Sequence, residues 1–138
     1  MDVAKNFWLV SSLVKVILIE QAVVDSILSY AQMLHPREAI LLLKGKVDKI
    51  GILVNATQIP PLATHGYTFS TFPLYKLPID FSIVGVAHSH PSGALRPSVV
   101  DLNKFYSRIM VITAYPYLSE KNIAMFDQEG KSLKYAVV

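Results

Sequence analysis

The chain has 138 residues, a length that suits one domain and is too short for two. Hydrophobic residues make up 52% and charged residues 17%, a balance that excludes an intrinsically disordered chain. The absence of cysteine excludes disulfide scaffolds and thiolate metal sites, and it leads us to expect a cytoplasmic protein. The net charge of +3 comes without a cluster of Lys and Arg, so we expect no nucleic-acid partner.

The apolar run from Phe7 to Ile19 raises the question of a membrane segment. It is shorter than the roughly 20 apolar residues that a spanning helix needs, and we expect no membrane partner. Residues 1–12 leave three alternatives open, which are an extra strand or arm, a homodimer contact and a disordered start. The apolar side chains of Phe7 and Trp8 favour a contact.

The first half of the chain predicts a strand, a helix and a hairpin. Apolar positions recur at helical spacing from Val23 to Leu34, and Pro36 requires this helix to stop near His35. A strand at 13–19 precedes the helix. Two strands at 38–43 and 47–54 follow it, joined by a turn at 44–46.

The second half predicts an irregular loop and further strands. Residues 55–80 contain several prolines and little periodicity, which is typical of a functional loop or flap. The elements predicted after it are an interior strand at 83–87, a helix at 99–108, a strand at 109–114, and a closing hairpin of 123–127 with 133–138 around Glu129 and Gly130. This order indicates an α/β fold.

Two histidines stand at the end of the strand predicted at 83–87. His88 and His90 are two residues apart, so both imidazoles can point to one face, and Pro91 ends regular pairing directly after them. They could be metal ligands, or they could be rim histidines bonded to water or a carbonyl.

A second motif, Ser98 with Asp101, begins ten residues after His88. Ser98 and Asp101 have the spacing of a helix capping box, which alone explains them. If the loop at 91–97 folds back, Asp101 joins the two imidazoles in a three-ligand set that suits zinc and leaves one position for water.

The segment from His88 to Asp101 resembles the signature of the JAMM metalloproteases, also called MPN-plus domains: His-Ser-His-Pro, then Ser eight and Asp eleven residues after the second His. The stretch from Glu38 to Gly45 is similar to an upstream segment of the same family, with Leu41 where Gly is commoner. The resemblance implies a single JAMM/MPN-plus domain over residues 1–138, of the compact stand-alone type of archaea and bacteria. It implies a mixed, mainly antiparallel curved sheet flanked by helices and similar to that of cytidine deaminases.

The resemblance also implies roles for individual residues. His88, His90 and Asp101 would bind one zinc ion per chain, Glu38 would be the general base, and Ser98 would donate to the oxyanion. The implied partners are ubiquitin-like modifier proteins and their conjugates, cleaved after a Gly-Gly tail by an isopeptidase. We expect Tyr67, Phe69 and Phe72 to help form the sheet edge that binds this tail, so that replacing either Phe raises KM more than it lowers kcat. Ser89 faces away from the ligands, and we expect no catalytic role for it.

Several other functions remain for comparison. The deaminase and helix-borne zincin motifs are absent, and an iron site of two His and one Asp explains Glu38 less well than hydrolysis does. Two non-hydrolytic alternatives are a scaffold subunit of the MPN type, which typically lacks the ligands, and a DNA-associated protein like the RadC relatives, which His-Pro-Ser-Gly also resembles.

Overall fold

A computed structural model describes residues 16–63, 65–77 and 79–138 of the chain. The predictions for residues 1–12 and for the start of the first strand, 13–15, lie outside the described residues. The regular elements are β1 (Val16–Ile19), α1 (Gln21–Leu34), β2 (Ile40–Val47), β3 (Gly51–Gln58), β4 (Ile83–His90), α2 (Val99–Asn103), β5 (Ile109–Ala114), β6 (Ile123–Phe126) and β7 (Ala136–Val137), with short 3-10 turns at Leu74–Lys76 and Glu120–Asn122.

The described strands form one mixed sheet in the order β6-β5-β4-β2-β3-β1-β7. Its pairings are antiparallel for β2 with β3, β2 with β4, and β5 with β6, and parallel for β1 with β3, β1 with β7, and β4 with β5. The strand β4, predicted from its apolar residues, lies between β2 and β5 in the interior of the sheet. The apolar residues at the start of β4 explain this position, since an interior strand is covered on both faces.

The sheet separates two hydrophobic cores. The helix-side core contains the apolar face of α1, including Val23, Ile27 and Ala31, packed on alternate strand residues such as Leu41 and Val111. The site-side core lies on the opposite face and contains Ile40, Leu42, Phe69, Phe72, Val86, Met110 and Ile112. Each strand supplies both cores because successive side chains point to opposite faces.

Residues 65–77, which we call the covering segment, lie over the site-side core. Phe69 and Phe72 are each 1% exposed, and the half-buried Tyr67, Leu74 and Leu77 pack beside them. The predicted loop at 55–80 is therefore packed against the sheet, and its first residues belong to β3. Both Phe rings are buried in the core, so neither ring is exposed to a substrate. That the segment with Tyr67, Phe69 and Phe72 helps to form a substrate-binding edge stays a prediction.

The helix α1 and the strands β4 and β5 confirm their sequence predictions, whereas the predicted hairpin turn at 44–46 is wrong. Gly45 lies within β2 at a bulge, where an added Cβ would come 1.8 Å from the Leu53 carbonyl oxygen. The chain turns at Asp48 instead, whose Oδ1 accepts hydrogen bonds from the backbone N–H groups of Ile50 and Gly51. An Asp side chain that accepts hydrogen bonds from the backbone N–H groups two and three residues ahead favours a turn. The Lys-Gly-Lys sequence has the composition of a turn, and it led to the wrong position.

Two C-terminal predictions also require correction. The turn around Gly130 forms, but the predicted closing hairpin is reduced to one bridge between Phe126 and Ser132, and the chain then pairs β7 in parallel with β1. The helix predicted at 99–108 ends at Asn103. The backbone leaves helical geometry at Lys104, with φ −109° and ψ 21°. Further along, Ser107 has a positive φ of 68° and donates a hydrogen bond from its hydroxyl to the Ile83 carbonyl. Within the described ranges, neither helix combines the length and the hydropathy needed to cross a bilayer.

Candidate metal centre

The histidines predicted as ligands lie at the carboxyl end of β4 and face the site-side core. His88 is directly opposite Ile40 of the antiparallel neighbour β2. Continuing that register places Glu38 opposite His90, on the same face of the sheet. The strand pairing thus brings two distant parts of the sequence to one end of the sheet.

His90 is oriented by a hydrogen bond to the loop that follows it. Its Nδ1 lies 2.7 Å from the Ala94 carbonyl oxygen, which accepts only, so Nδ1 carries the proton. In the neutral ring, Nε2 then presents a lone pair, and this atom lies 3.1 Å from Oδ2 of Asp101. Two acceptor atoms in contact favour a cation between or beside them, whether a proton or a metal ion.

His88 is buried beside His90 and has an unusual environment. It is 2% exposed, and neither ring nitrogen has a hydrogen-bond partner among the residues that the structure describes. Burial lowers its pKa to about 3, although the Asp101 carboxylate opposes this shift. The ring is therefore neutral near pH 7, which is the form that binds metals, and a bound ion would explain one of its two unpartnered nitrogens.

Asp101 both begins a helix and faces the histidines, as the sequence suggested. Its backbone N–H donates to Ser98 Oγ at 3.0 Å, and the Ser98 backbone N–H donates to its Oδ2 at 2.9 Å, which completes a capping box at the start of α2. The same Oδ2 faces His90. Because Ser98 Oγ acts as acceptor in the cap, its own hydroxyl proton stays available to donate elsewhere.

Together these residues form one cluster. One ligand atom from each of His88, His90 and Asp101 lies within 4.8 Å of the others. Glu38, Ser98, His90 and Asp101 all line a cleft of about 600 Å³, and the buried His88 is close to it through the ligand cluster. The structure thus brings together all five residues that the sequence singled out.

Comparisons with known proteins agree with this geometry. A protein of Haloferax volcanii named probable metalloprotease is 38% identical over 104 residues, which cover 70% of this chain and 64% of that relative. A solved structure described as JAMM, a metalloprotease-like zinc site in the proteasome and signalosome, is 25% identical with a TM-score of 0.65 and covers 90% of this chain and 99% of its own. The chain belongs to the JAMM/MPN metalloprotease family. A JAB1/MPN domain protein from Archaeoglobus fulgidus is 25% identical with a TM-score of 0.63, over 88% of this chain and 96% of its own.

No protein-family model matches the sequence, so the family assignment comes from these relatives and from the fold. Two imidazoles and one carboxylate are a common ligand set for zinc with an open coordination position, and the JAMM cluster of His88, His90 and Asp101 fits a single zinc ion. The chain spans 64% of the length of this curated relative.

The sequence analysis named Ser89 and Phe69 but did not predict the contacts by which they support the JAMM site. Ser89 is fully buried on the opposite face, and its Oγ accepts a 2.7 Å hydrogen bond from the backbone N–H of Ala39, next to Glu38. Phe69 donates its backbone N–H to Oε2 of Glu38 at 2.8 Å, and its ring stacks on His88. The Ser between the two ligands was visible in the sequence, but nothing in the irregular loop distinguished Phe69 from Phe72.

Proposed function

We propose that the protein is a zinc-dependent metallohydrolase that acts as an isopeptidase on conjugates of ubiquitin-like modifiers. The observation that carries the proposal is the meeting of the ligand cluster with Glu38 in one cleft. A bound zinc ion supplies a water whose pKa is lowered to about 7. His88, His90 and Asp101 would hold this ion and leave one position open.

Glu38 is suited to the role of general base. Its side chain is half-buried at the rim of the cleft, and Oε2 accepts the Phe69 N–H while the other oxygen remains for a proton. It takes a proton from the attacking water and returns it to the leaving amine. The Ser98 hydroxyl, oriented by its capping bond, donates to the oxyanion, and one such donor contributes about 3 kcal/mol to lowering the barrier.

The shape of the surface supports a polypeptide substrate. A second cavity of about 290 Å³ also reaches Glu38 and is lined by Tyr67, Gly66 and Arg37 among others. The two cavities share Glu38 and Pro91 in their linings. A chain that passes from one cavity into the other crosses Glu38, and a Gly-Gly tail is the narrowest such chain because it has no side chains.

The test is cleavage of fusions in which a ubiquitin-like domain ends in Gly-Gly before a reporter. The zinc-loaded protein should cleave this fusion, and it should not cleave a matched fusion with Leu-Leu in place of Gly-Gly. A chelator should stop the reaction. Glu38→Gln should retain zinc and lose about 100-fold or more in turnover, because an amide cannot accept the proton.

The matched control for Glu38→Gln is Glu129→Gln, which makes the same change at an exposed turn away from the cleft and should keep full activity. A near-normal rate in Glu38→Gln would show that another group is the base. If the zinc-loaded protein cleaves no fusion and instead binds DNA, the isopeptidase proposal is wrong and the likeness to RadC relatives becomes the better guide.

A further inference from the structure

We infer that Phe69, in the covering segment, is a positioning residue that holds the zinc ligand His88 and the base Glu38 in place together. Its ring stacks on the His88 imidazole with centroids 4.0 Å apart and planes 5° from parallel. Its backbone N–H donates to Glu38. The part that concerns His88 depends only on the metal centre, and the part that concerns Glu38 rests on the proposed function.

The two histidines are held in different ways. A metal-binding histidine is usually oriented by a hydrogen bond from its other ring nitrogen to a carbonyl or carboxylate. His90 has this bond, to the Ala94 carbonyl. His88 has no such partner in the described part of the chain, and its ring contacts two other rings instead: Phe69 in parallel, and His90 at an angle of 60° with centroids 4.9 Å apart. The Phe69 ring therefore fixes the imidazole plane that a hydrogen bond would otherwise fix.

The same residue reaches Glu38 because the covering segment turns at this point. The Thr68 carbonyl accepts hydrogen bonds from the backbone N–H groups of Thr71 and Phe72, at 3.2 and 2.9 Å, and closes one turn. The N–H of Phe69, near the start of that turn, points out to the Glu38 carboxylate. Since the ring of Phe69 is buried in the site-side core, it also holds the Phe69 backbone N–H in its place beside Glu38.

Phe72 offers a matched control for Phe69. It lies three residues away, is also 1% exposed, and belongs to the same core, but its ring meets that of Tyr67, whereas the ring of Phe69 meets His88. Phe69→Leu and Phe72→Leu remove the same atoms from the same core. A purely structural role for Phe69 predicts that the two variants behave alike.

The first measurement is the NMR spectrum of the metal-free protein, in which a stacked ring shields the His88 ring protons. We expect these resonances to move downfield in Phe69→Leu and to stay in place in Phe72→Leu. The second is zinc affinity by competition with a chelator, which should fall about tenfold in Phe69→Leu and less than twofold in Phe72→Leu. The third is turnover, in which kcat should fall about tenfold for Phe69→Leu with KM unchanged within twofold.

Equal zinc affinities and equal His88 spectra in the two variants would overturn the inference. If the wild-type protein cleaves no fusion but the zinc and NMR differences appear, the proposed function fails and the positioning of His88 stands. If the wild type is active and the variants are alike, the inference fails alone. Phe69→Met, which keeps most of the volume without a ring, serves if Phe69→Leu does not fold, and the same differences from Phe72→Leu are expected of it.

Discussion

Replacing Ser89 with Ala tests whether the residue between the two histidines holds the strand that carries Glu38. Ser89 is fully buried, and its Oγ accepts the backbone N–H of Ala39 at 2.7 Å. Ala has no acceptor, so Ser89→Ala leaves this N–H unsatisfied in the interior, which costs about 1–3 kcal/mol of unfolding free energy. The bond from the Ser89 backbone N–H to the Ala39 carbonyl, at 3.0 Å, does not need the side chain, so the register should survive.

The assay is urea unfolding of the metal-free protein. With an m-value near 2 kcal/mol/M, a loss of about 2 kcal/mol lowers the midpoint by about 1 M, and m should not change. The control is Ser92→Ala, since Ser92 is exposed and its hydroxyl accepts only a 3.4 Å contact from the Ala94 N–H. That variant should stay within about 0.5 kcal/mol of the wild type.

A Ser89→Ala variant as stable as Ser92→Ala would refute the reasoning. It would mean that the Ala39 N–H finds another partner or that the strand end opens to water. A changed m-value would instead show that the variant alters the folded or unfolded ensemble, and the hydrogen bond would then not be the quantity measured.

Three further predictions concern the metal centre. Asp101→Asn keeps an acceptor for the α2 cap, so its metal-free stability should match the wild type, while Asp101→Ala should lose about 1 kcal/mol. Both variants should lose zinc affinity. Equal metal-free stabilities of the two variants would contradict a role of Asp101 as both helix cap and metal ligand. In metal-free protein, His88 binds a proton near pH 6.5 when unfolded and only near pH 3 when folded. The unfolded chain therefore holds more protons between these values, and stability should fall by about 1.6 kcal/mol from pH 6.5 to 5. A His88→Asn variant with the same pH profile would exclude His88 as the cause. Free zinc at 100 times its Kd should raise the unfolding free energy by about 2.7 kcal/mol in the wild type and by much less in His90→Ala, and equal shifts in thermal scans would place the ion elsewhere.

The sequence predicted the elements whose signals are local. The apolar spacing of α1 and its stop before Pro36 depend on neighbours in the chain, as do the buried runs of β4 and β5, and all three agree with the structure. Strand alternation places His88 and His90 on one face and a capping box fixes Asp101, but the meeting of all three depends on the fold of the loop at 91–97, which the family resemblance implied.

The errors came from contacts that only the folded chain makes. Gly45 has the composition of a turn but serves as a strand residue, because the Leu53 carbonyl approaches it too closely for any side chain. The last strand, β7, pairs with the distant β1 and not with β6, which precedes it in the chain. No local pattern in the sequence predicts this pairing. The irregular segment that contains Phe69 shows no apolar periodicity, so nothing local in the sequence indicates that this ring is buried in the core.

One oxygen atom, Oδ2 of Asp101, couples metal binding at the centre to a backbone amide. It holds the amide of Ser98 and also faces His90. When a metal ion immobilises this carboxylate, that amide should exchange its hydrogen for solvent deuterium more slowly. The hydrogen-exchange rate of the Ser98 amide would then report the fraction of the protein that has metal bound, without a substrate or a dye.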